Sequence, residues 1–194
     1  MDTGHYFHLA GEPSQGAVLD TGLKCLNSCV FCYYRDYDGQ QDYQALRMGG
    51  FRSAKDSKRI LDLFARNGYR HFDITGGEPS LHPDIVGIVR YGCTNLGLAG
   101  RLITLGQYLL KKAFDNRSLL NTLLEAGLTD VLFSLHSADS DSFNTFTNGS
   151  LKKLTDAMDY LDRKGFQYGT NTVVFEGNQN TLLDIAALAC DHGV

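Results

Sequence analysis

Arg70-His71-Phe72-Asp73-Ile74-Thr75-Gly76-Gly77-Glu78-Pro79 is the stretch on which the fold turns. Residues 70–75 alternate in polarity with period two, which predicts a strand. The run breaks on paired glycines, and Pro79 fixes the turn and restricts Glu78 to extended backbone. Beyond it, Pro83 suits a first helical position, and Ile85, Ile88 and Val89 form a helical face. The unit is strand, glycine turn, helix. Paired glycines permit close backbone approach to a ligand, although a plain strand-to-helix turn needs them too.

The same unit recurs on both sides. Ala17-Val18-Leu19 predicts a first strand. Ser53 with Asp56 resembles a capping box, followed by Ile60, Leu61 and Phe64 at helical spacing and a stop at Asn67-Gly68. Leu102–Leu105 predicts a third strand, and Leu119, Leu120, Leu123 and Leu124 line a helix that stops at Gly127. Val131–Leu135 predicts a fourth strand. Ser150 caps a helix carrying Leu151, Leu154, Met158 and Leu161, ended by Gly165. Asn171–Phe175 predicts a fifth strand, and Leu182, Leu183, Ile185 and Ala186 a last helix. Five alternations imply an α/β fold with a parallel sheet and right-handed crossovers, because parallel neighbours need a long connection. The strands read as nearly continuous apolar runs, as expected when helices cover one face and a packed interior the other. Sites in such folds lie beyond the carboxyl ends of the strands.

At that end, after strand one, stands Cys25-Leu26-Asn27-Ser28-Cys29-Val30-Phe31-Cys32-Tyr33-Tyr34. Three thiolates can hold three irons of a [4Fe–4S] cluster and leave the fourth open. An open metal position is where chemistry starts. A zinc knuckle or a redox dithiol is the other reading, with His5, His8 or Cys93 as a fourth zinc ligand. Residues 33–52 form a long polar-aromatic loop, either functional or a solvated flap.

The 194 residues suit one domain, and 43% apolar residues can fill a core. A formal net charge of −4 gives no basic nucleic-acid footprint. No run approaches the length of a membrane span, and Met1–Gln15 lacks a signal pattern, so a cytoplasmic protein with reduced thiols is expected. Five cysteines, three of them clustered, do not make a disulfide framework. Cys93 and Cys190 fall in predicted helices among apolar neighbours and read as buried, inert thiols.

Cys-x3-Cys-x-aromatic-Cys and Gly-Gly-Glu-Pro on successive βα loops resemble the radical S-adenosylmethionine (radical SAM) superfamily. The Ser134-Leu-His136-Ser and Asn171-Thr-Val-Val segments resemble its branch of molybdenum-cofactor cyclases and peptide-modifying enzymes. The resemblance implies a partial (β/α) barrel and a [4Fe–4S] cluster held by Cys25, Cys29 and Cys32. It implies reductive cleavage of SAM to a 5′-deoxyadenosyl radical that abstracts hydrogen from an unidentified substrate, a peptide or a small molecule. An electron donor such as flavodoxin or ferredoxin is implied as a partner.

By the same resemblance, Phe31 lies near the adenine, and the backbone of Gly76, Gly77, Glu78 and Pro79 engages the SAM amino group. Thr104, Ser134 and Asn171 match polar positions near SAM, though each would also serve as an ordinary hydrogen-bonded buried residue. Leu105 departs from the Thr-Asn-Gly found at that point in many relatives. His136, an aspartate in many relatives, has an open role: core residue, acid/base group or substrate contact. A bulky residue at Gly77 is expected to weaken SAM binding and leave the iron intact. The competing readings are a zinc-binding interaction module and a noncatalytic SAM-binding remnant.

The expected organisation is an N-terminal arm over 1–16 and a radical SAM core over 17–194, C-terminally incomplete. The family barrel usually has six strands. Relatives of the cyclase and peptide-modifying branch usually carry a C-terminal region with extra cluster cysteines, of which only Cys93 and Cys190 could remain here. Here Gly193 reads as a helix cap and Val194 as the start of a missing sixth strand. Strand five would then keep an unpaired edge at Val173, Val174 and Phe175, which would pair with another chain, aggregate or be covered by the terminal arm.

Overall fold

The computed structural model describes residues 16–34, 50–112 and 116–194. The arm over 1–15, His5, His8 and most of the 33–52 loop lie outside the described residues. Five strands, β1 (Gly16–Asp20), β2 (His71–Thr75), β3 (Ala99–Thr104), β4 (Asp130–Ser134) and β5 (Gly169–Asn171), form one sheet. Every neighbouring pair is parallel, and the spatial order is the chain order. The helices are α1 (Ala54–Arg66), α2 (Ile85–Arg90), α3 (Leu119–Glu125), α4 (Ser140–Thr147), α5 (Leu151–Lys164) and α6 (Leu182–Asp191). This is the parallel α/β architecture that the strand–helix alternation implies, in the partial barrel-like form that the resemblance implies.

Local chemistry sets the helix ends. The Ser53 and Ser150 hydroxyls accept the N–H groups of Asp56 and Lys153, as N-caps do. Gly165 closes α5 in the left-handed region at φ 62°. Gly193 and Val194 donate to Cys190 and Ala189 at the end of α6. The Val194 N–H therefore belongs to the helix cap. Pro83 does not begin α2, because the cap is Asp84 and the first helical residue is Ile85. Pro79 takes the first position of a short 3-10 turn, Pro79–Leu81, instead. Past Arg90 the helix widens into one π turn, Tyr91–Asn95, where a Cβ on Gly92 would press on the Phe72 ring.

One face of the sheet is core. Leu19, Phe72, Ile74, Leu102, Val131 and Phe133 are fully buried against helical Leu61, Ile88, Leu123, Leu154, Met158 and Leu161. Each such side chain contributes about 1.5–3 kcal/mol by leaving water. The other face is not the packed apolar interior expected from the strand compositions. Val18 is 60% exposed, and a charged row crosses the sheet beside it. The Arg101 Nε and Nη2 both donate to the Asp73 carboxylate, each at 2.8 Å, and Asp130 stands next to Arg101 across the β3–β4 register. Burial pushes the Asp130 carboxyl up to about 6, against the attraction of Arg101.

The fifth strand is shorter than its β-branched sequence predicts. It ends at Asn171, so Val173, Val174 and Phe175 are not an edge strand. Side chains take the backbone groups that a ladder would have used. The Val173 N–H donates to His136 Nδ1 at 3.2 Å. Asn178 Nδ2 donates to the carbonyls of Val173 (2.9 Å) and His136 (3.1 Å), and Asn178 Oδ1 accepts the Phe175 N–H (3.0 Å). Cys190 is exposed, not buried, whereas Cys93 sits half-buried against Gly100, its thiol pushed up to about 12 by burial. Among the described residues no helix is long and apolar enough to cross a membrane.

Candidate functional site

A cavity of ≈ 340 Å³ opens at the carboxyl ends of the strands, within the usual range for small-molecule sites of roughly 300–1,000 Å³. Cys25, Cys29 and Cys32 line it from the loop after β1, and Gly76, Gly77 and Glu78 from the turn after β2. Thr104 lines it from the end of β3, Ser134 and His136 from the end of β4, and Asn171 from the end of β5. Phe31 lines it as well, while Pro79 is buried behind the turn and does not. Thus ten of the eleven residues singled out in the sequence, with His136 added, share one cavity. Cys93 and Cys190 lie outside it.

The two loops that carry the motifs are hydrogen-bonded to each other. The Gly77 N–H donates to the Gly22 carbonyl at 2.8 Å, and the Glu78 N–H to the Lys24 carbonyl at 2.9 Å. A Cβ on Gly77 would collide with the carbonyl oxygens of Leu23 and Lys24, and one on Gly76 with that of Gly22. Gly76 also sits at φ 134°, a region that L side chains avoid. The close approach demanding glycine is therefore to the backbone leading into Cys25. This changes the expectation for Gly77, since a side chain there would disturb the thiolate loop before reaching a ligand.

Glu78 is 2% exposed, and its carboxylate is spent within the chain. One oxygen accepts from the Ser80 N–H (3.1 Å), the Ser80 hydroxyl (2.6 Å) and the Thr104 hydroxyl (2.6 Å). The other accepts the Leu105 N–H at 3.0 Å. A buried carboxylate is tolerable only with such partners. Glu78 and Thr104 thereby lock the glycine turn onto the end of β3. The Thr104 hydroxyl also accepts the Gly106 N–H at 3.0 Å.

Ser134 and Asn171 face each other in register across β4 and β5. Asn171 Oδ1 is buried and has no hydrogen-bond partner among the described residues. Such an orphan acceptor is costly unless a ligand or water supplies a donor. His136 is 3% exposed, and burial pulls its imidazole down to about 4, so it is neutral at pH 7. Because Nδ1 accepts the Val173 N–H, the proton of the neutral ring is on Nε2. The ring meets Phe31 edge-on at 4.4 Å, and Phe31 packs on Phe175 at 5.0 Å. Burial raises the Tyr34 phenol, with contributions from Tyr33 and from Asp20, whose carboxylate accepts its hydroxyl at 3.0 Å.

Sequence reasoning missed α4 and the role of Asn27. The polar run Ser140–Thr147 lacks a strong apolar face, although Asp139 caps it by accepting the Ser142 N–H. Its carboxyl end receives the cysteine loop: the Ser28 N–H donates to the Thr147 carbonyl (3.1 Å) and the Val30 N–H to that of Phe146 (2.9 Å). The αL-prone Asn148-Gly149 pair after it was a legible stop signal.

An all-parallel partial barrel carries a three-cysteine loop at its strand ends. The chain belongs to the Radical SAM superfamily, whose family model matches residues 20–189. It is 29% identical over 182 residues to a probable GTP 3′,8-cyclase of Pyrobaculum aerophilum, covering 88% of this chain and 52% of that protein. It is also 29% identical over 175 residues to the PqqA peptide cyclase of Rhodopseudomonas palustris, covering 89% of this chain and 42% of that protein. Streptococcus suis SuiB bound to precursor peptide SuiA shares the fold, with a TM-score of 0.75 at 19% identity over 93% of this chain and 37% of SuiB. The chain spans about half the length of the curated relatives it matches. The family implies a [4Fe–4S] cluster and SAM. The residues present fit both: three cysteines on one short loop line the cavity, and Asn171, whose buried Oδ1 lacks a donor among the described residues, lines it too.

Proposed function

We propose that this chain is the core of a radical SAM enzyme, with Cys25, Cys29 and Cys32 as the cluster ligands. The observation that carries the reading is the convergence of the three cysteines, the glycine turn, Ser134 and Asn171 on one cavity at the strand ends. When bound, the cluster and SAM supply reductive cleavage to methionine and a 5′-deoxyadenosyl radical, which takes hydrogen from a substrate. The protein's own contribution is binding, orientation and shielding. Gly76 and Gly77 present backbone to the SAM amino group, held in place by Glu78 and Thr104. Ser134 and Asn171 offer a hydroxyl and an unsatisfied carbonyl oxygen to the polar groups of SAM. Phe31 supplies a flat apolar wall for the adenine. An electron donor of the flavodoxin or ferredoxin kind would be the partner that supplies the electron.

Exposed Tyr33 and Val173 line the same cavity and mark where a substrate enters. Relatives named for GTP and for a peptide set the two substrate classes to assay first, a small metabolite and a peptide. Anaerobic reconstitution tests the reading. The wild-type chain should hold about four irons and, with a strong reductant, convert SAM to 5′-deoxyadenosine and methionine. Cys29→Ala should lose the iron and Cys93→Ala should keep it. Zinc in place of iron would support an interaction module, and a cluster-loaded protein making no deoxyadenosine would support a noncatalytic SAM binder.

A further inference from the structure

The cysteine loop is gripped from a side that the family motifs do not include. Asn27, between Cys25 and Cys29, is 4% exposed. Its Nδ2 donates to the Thr147 carbonyl at 3.3 Å and to the Asn148 carbonyl at 3.4 Å. These carbonyls belong to the last turn of α4, whose terminal C=O groups have no intrahelical partner. Backbone N–H groups of Ser28 and Val30 fill two neighbouring places, on Thr147 and Phe146. Asn148 turns the chain away at φ 53°, which leaves that helix end open to the loop. Gly149 completes the seat, where an added Cβ would stand 2.9 Å from Thr147 Oγ1 and 3.2 Å from Asn27 Nδ2. The same helix sets the ring before Cys32, since Phe146 packs on Phe175 and Phe175 on Phe31, each at 5.0 Å.

We propose that Asn27 is a positioning residue for the cluster, binding the carboxyl end of α4 and placing an amide N–H between its carbonyls and the thiolate loop. The proposal rests on the cluster assignment above. Carbonyl oxygens at a helix end carry partial negative charge. Without the Asn27 amide the Thr147 carbonyl keeps only the Ser28 N–H and the Asn148 carbonyl loses its donor. A carbonyl left short of donors beside a cluster opposes the arrival of an electron and favours loosening of the loop.

The test is made on the reconstituted chain by redox titration, by the EPR spectrum of the reduced cluster and by iron retention under a chelator. Asn27→Leu keeps the volume and removes the donor. It should move the midpoint potential to more negative values, alter the spectrum and speed iron loss. Asn27→Gln, which keeps an amide donor, should restore the wild-type potential in part. Gly149→Ala approaches the same seat from α4, away from the cysteines, and should shift the spectrum in the same sense. It decides the matter if Asn27→Leu does not fold, as judged by the melting of the unloaded chain. A folded Asn27→Leu and a folded Gly149→Ala with wild-type potential and spectrum would overturn the proposal. A wild-type chain that takes up no iron would overturn the cluster assignment itself, and this proposal with it.

Discussion

Gly77 shows how a single position acquires two meanings. Its sequence context suggested room for a ligand, whereas its missing Cβ is needed by the Leu23 and Lys24 carbonyls. Gly77→Ala should therefore lower iron content and SAM affinity together, measured by iron assay and calorimetry on the same sample. Loss of SAM binding at full iron content would restore the ligand-only reading. His136 titrates in the opposite sense from a paired histidine. Its folded value of about 4 lies below the ordinary 6.5, so the unfolded chain binds a proton first as pH falls. Stability is unaffected above about pH 6.5 and is lost between about 6.5 and 4. At pH 5 the loss is on the order of 2 kcal/mol. His136→Gln should flatten the fall in Tm between pH 7 and pH 5.

At the scale of elements, the segment after β5 is the clearest departure from propensity. Thr172, Val173, Val174 and Phe175 are strong strand formers, yet three side chains draw the chain out of the sheet. The Thr172 hydroxyl donates to the Leu135 carbonyl at 2.6 Å, and His136 and Asn178 take the next backbone groups. Asn178 is 1% exposed and makes three of these bonds, so it is the pin of the segment. Asn178→Ala would strand a buried N–H and two carbonyls. It should cost about 2–3 kcal/mol in unfolding free energy, at roughly 1 kcal/mol per bond. Amide exchange over 172–178 should quicken while α5 remains protected. Equal acceleration throughout the sheet would show that the segment has no separate stability.

For the molecule as a whole, the two faces of the sheet are unequal, and the charged row on the open face carries a measurable penalty. Asp130 has a folded value of about 6 against an ordinary 3.8, because burial outweighs Arg101. The folded state then binds the proton more tightly, so stability falls as pH rises from about 4 to 6 and the full penalty applies above that. Asp130→Asn should raise Tm at pH 7.5, with the gain vanishing towards pH 4. A lower Tm at pH 7.5 would mean that Arg101 needs the second carboxylate more than burial disfavours it.

The strand–helix alternation, the capping residues and the positions of the motifs can all be read along the chain. These are local: Ser53 and Ser150 cap through bonds three residues long, and Gly165 turns where only its own φ matters. Parallel order followed from the helices between strands. The residues that line the cavity were legible because each follows a strand at the same end of the sheet. Contacts between parts distant in the chain came from the folded molecule alone. Asn27 meets Thr147 across 120 positions, and Glu78 meets Thr104 across 26. Strand five stops at Asn171 because His136 and Asn178 compete for its backbone. A propensity averages over partners, whereas a buried donor or acceptor answers to the one partner that the fold places beside it.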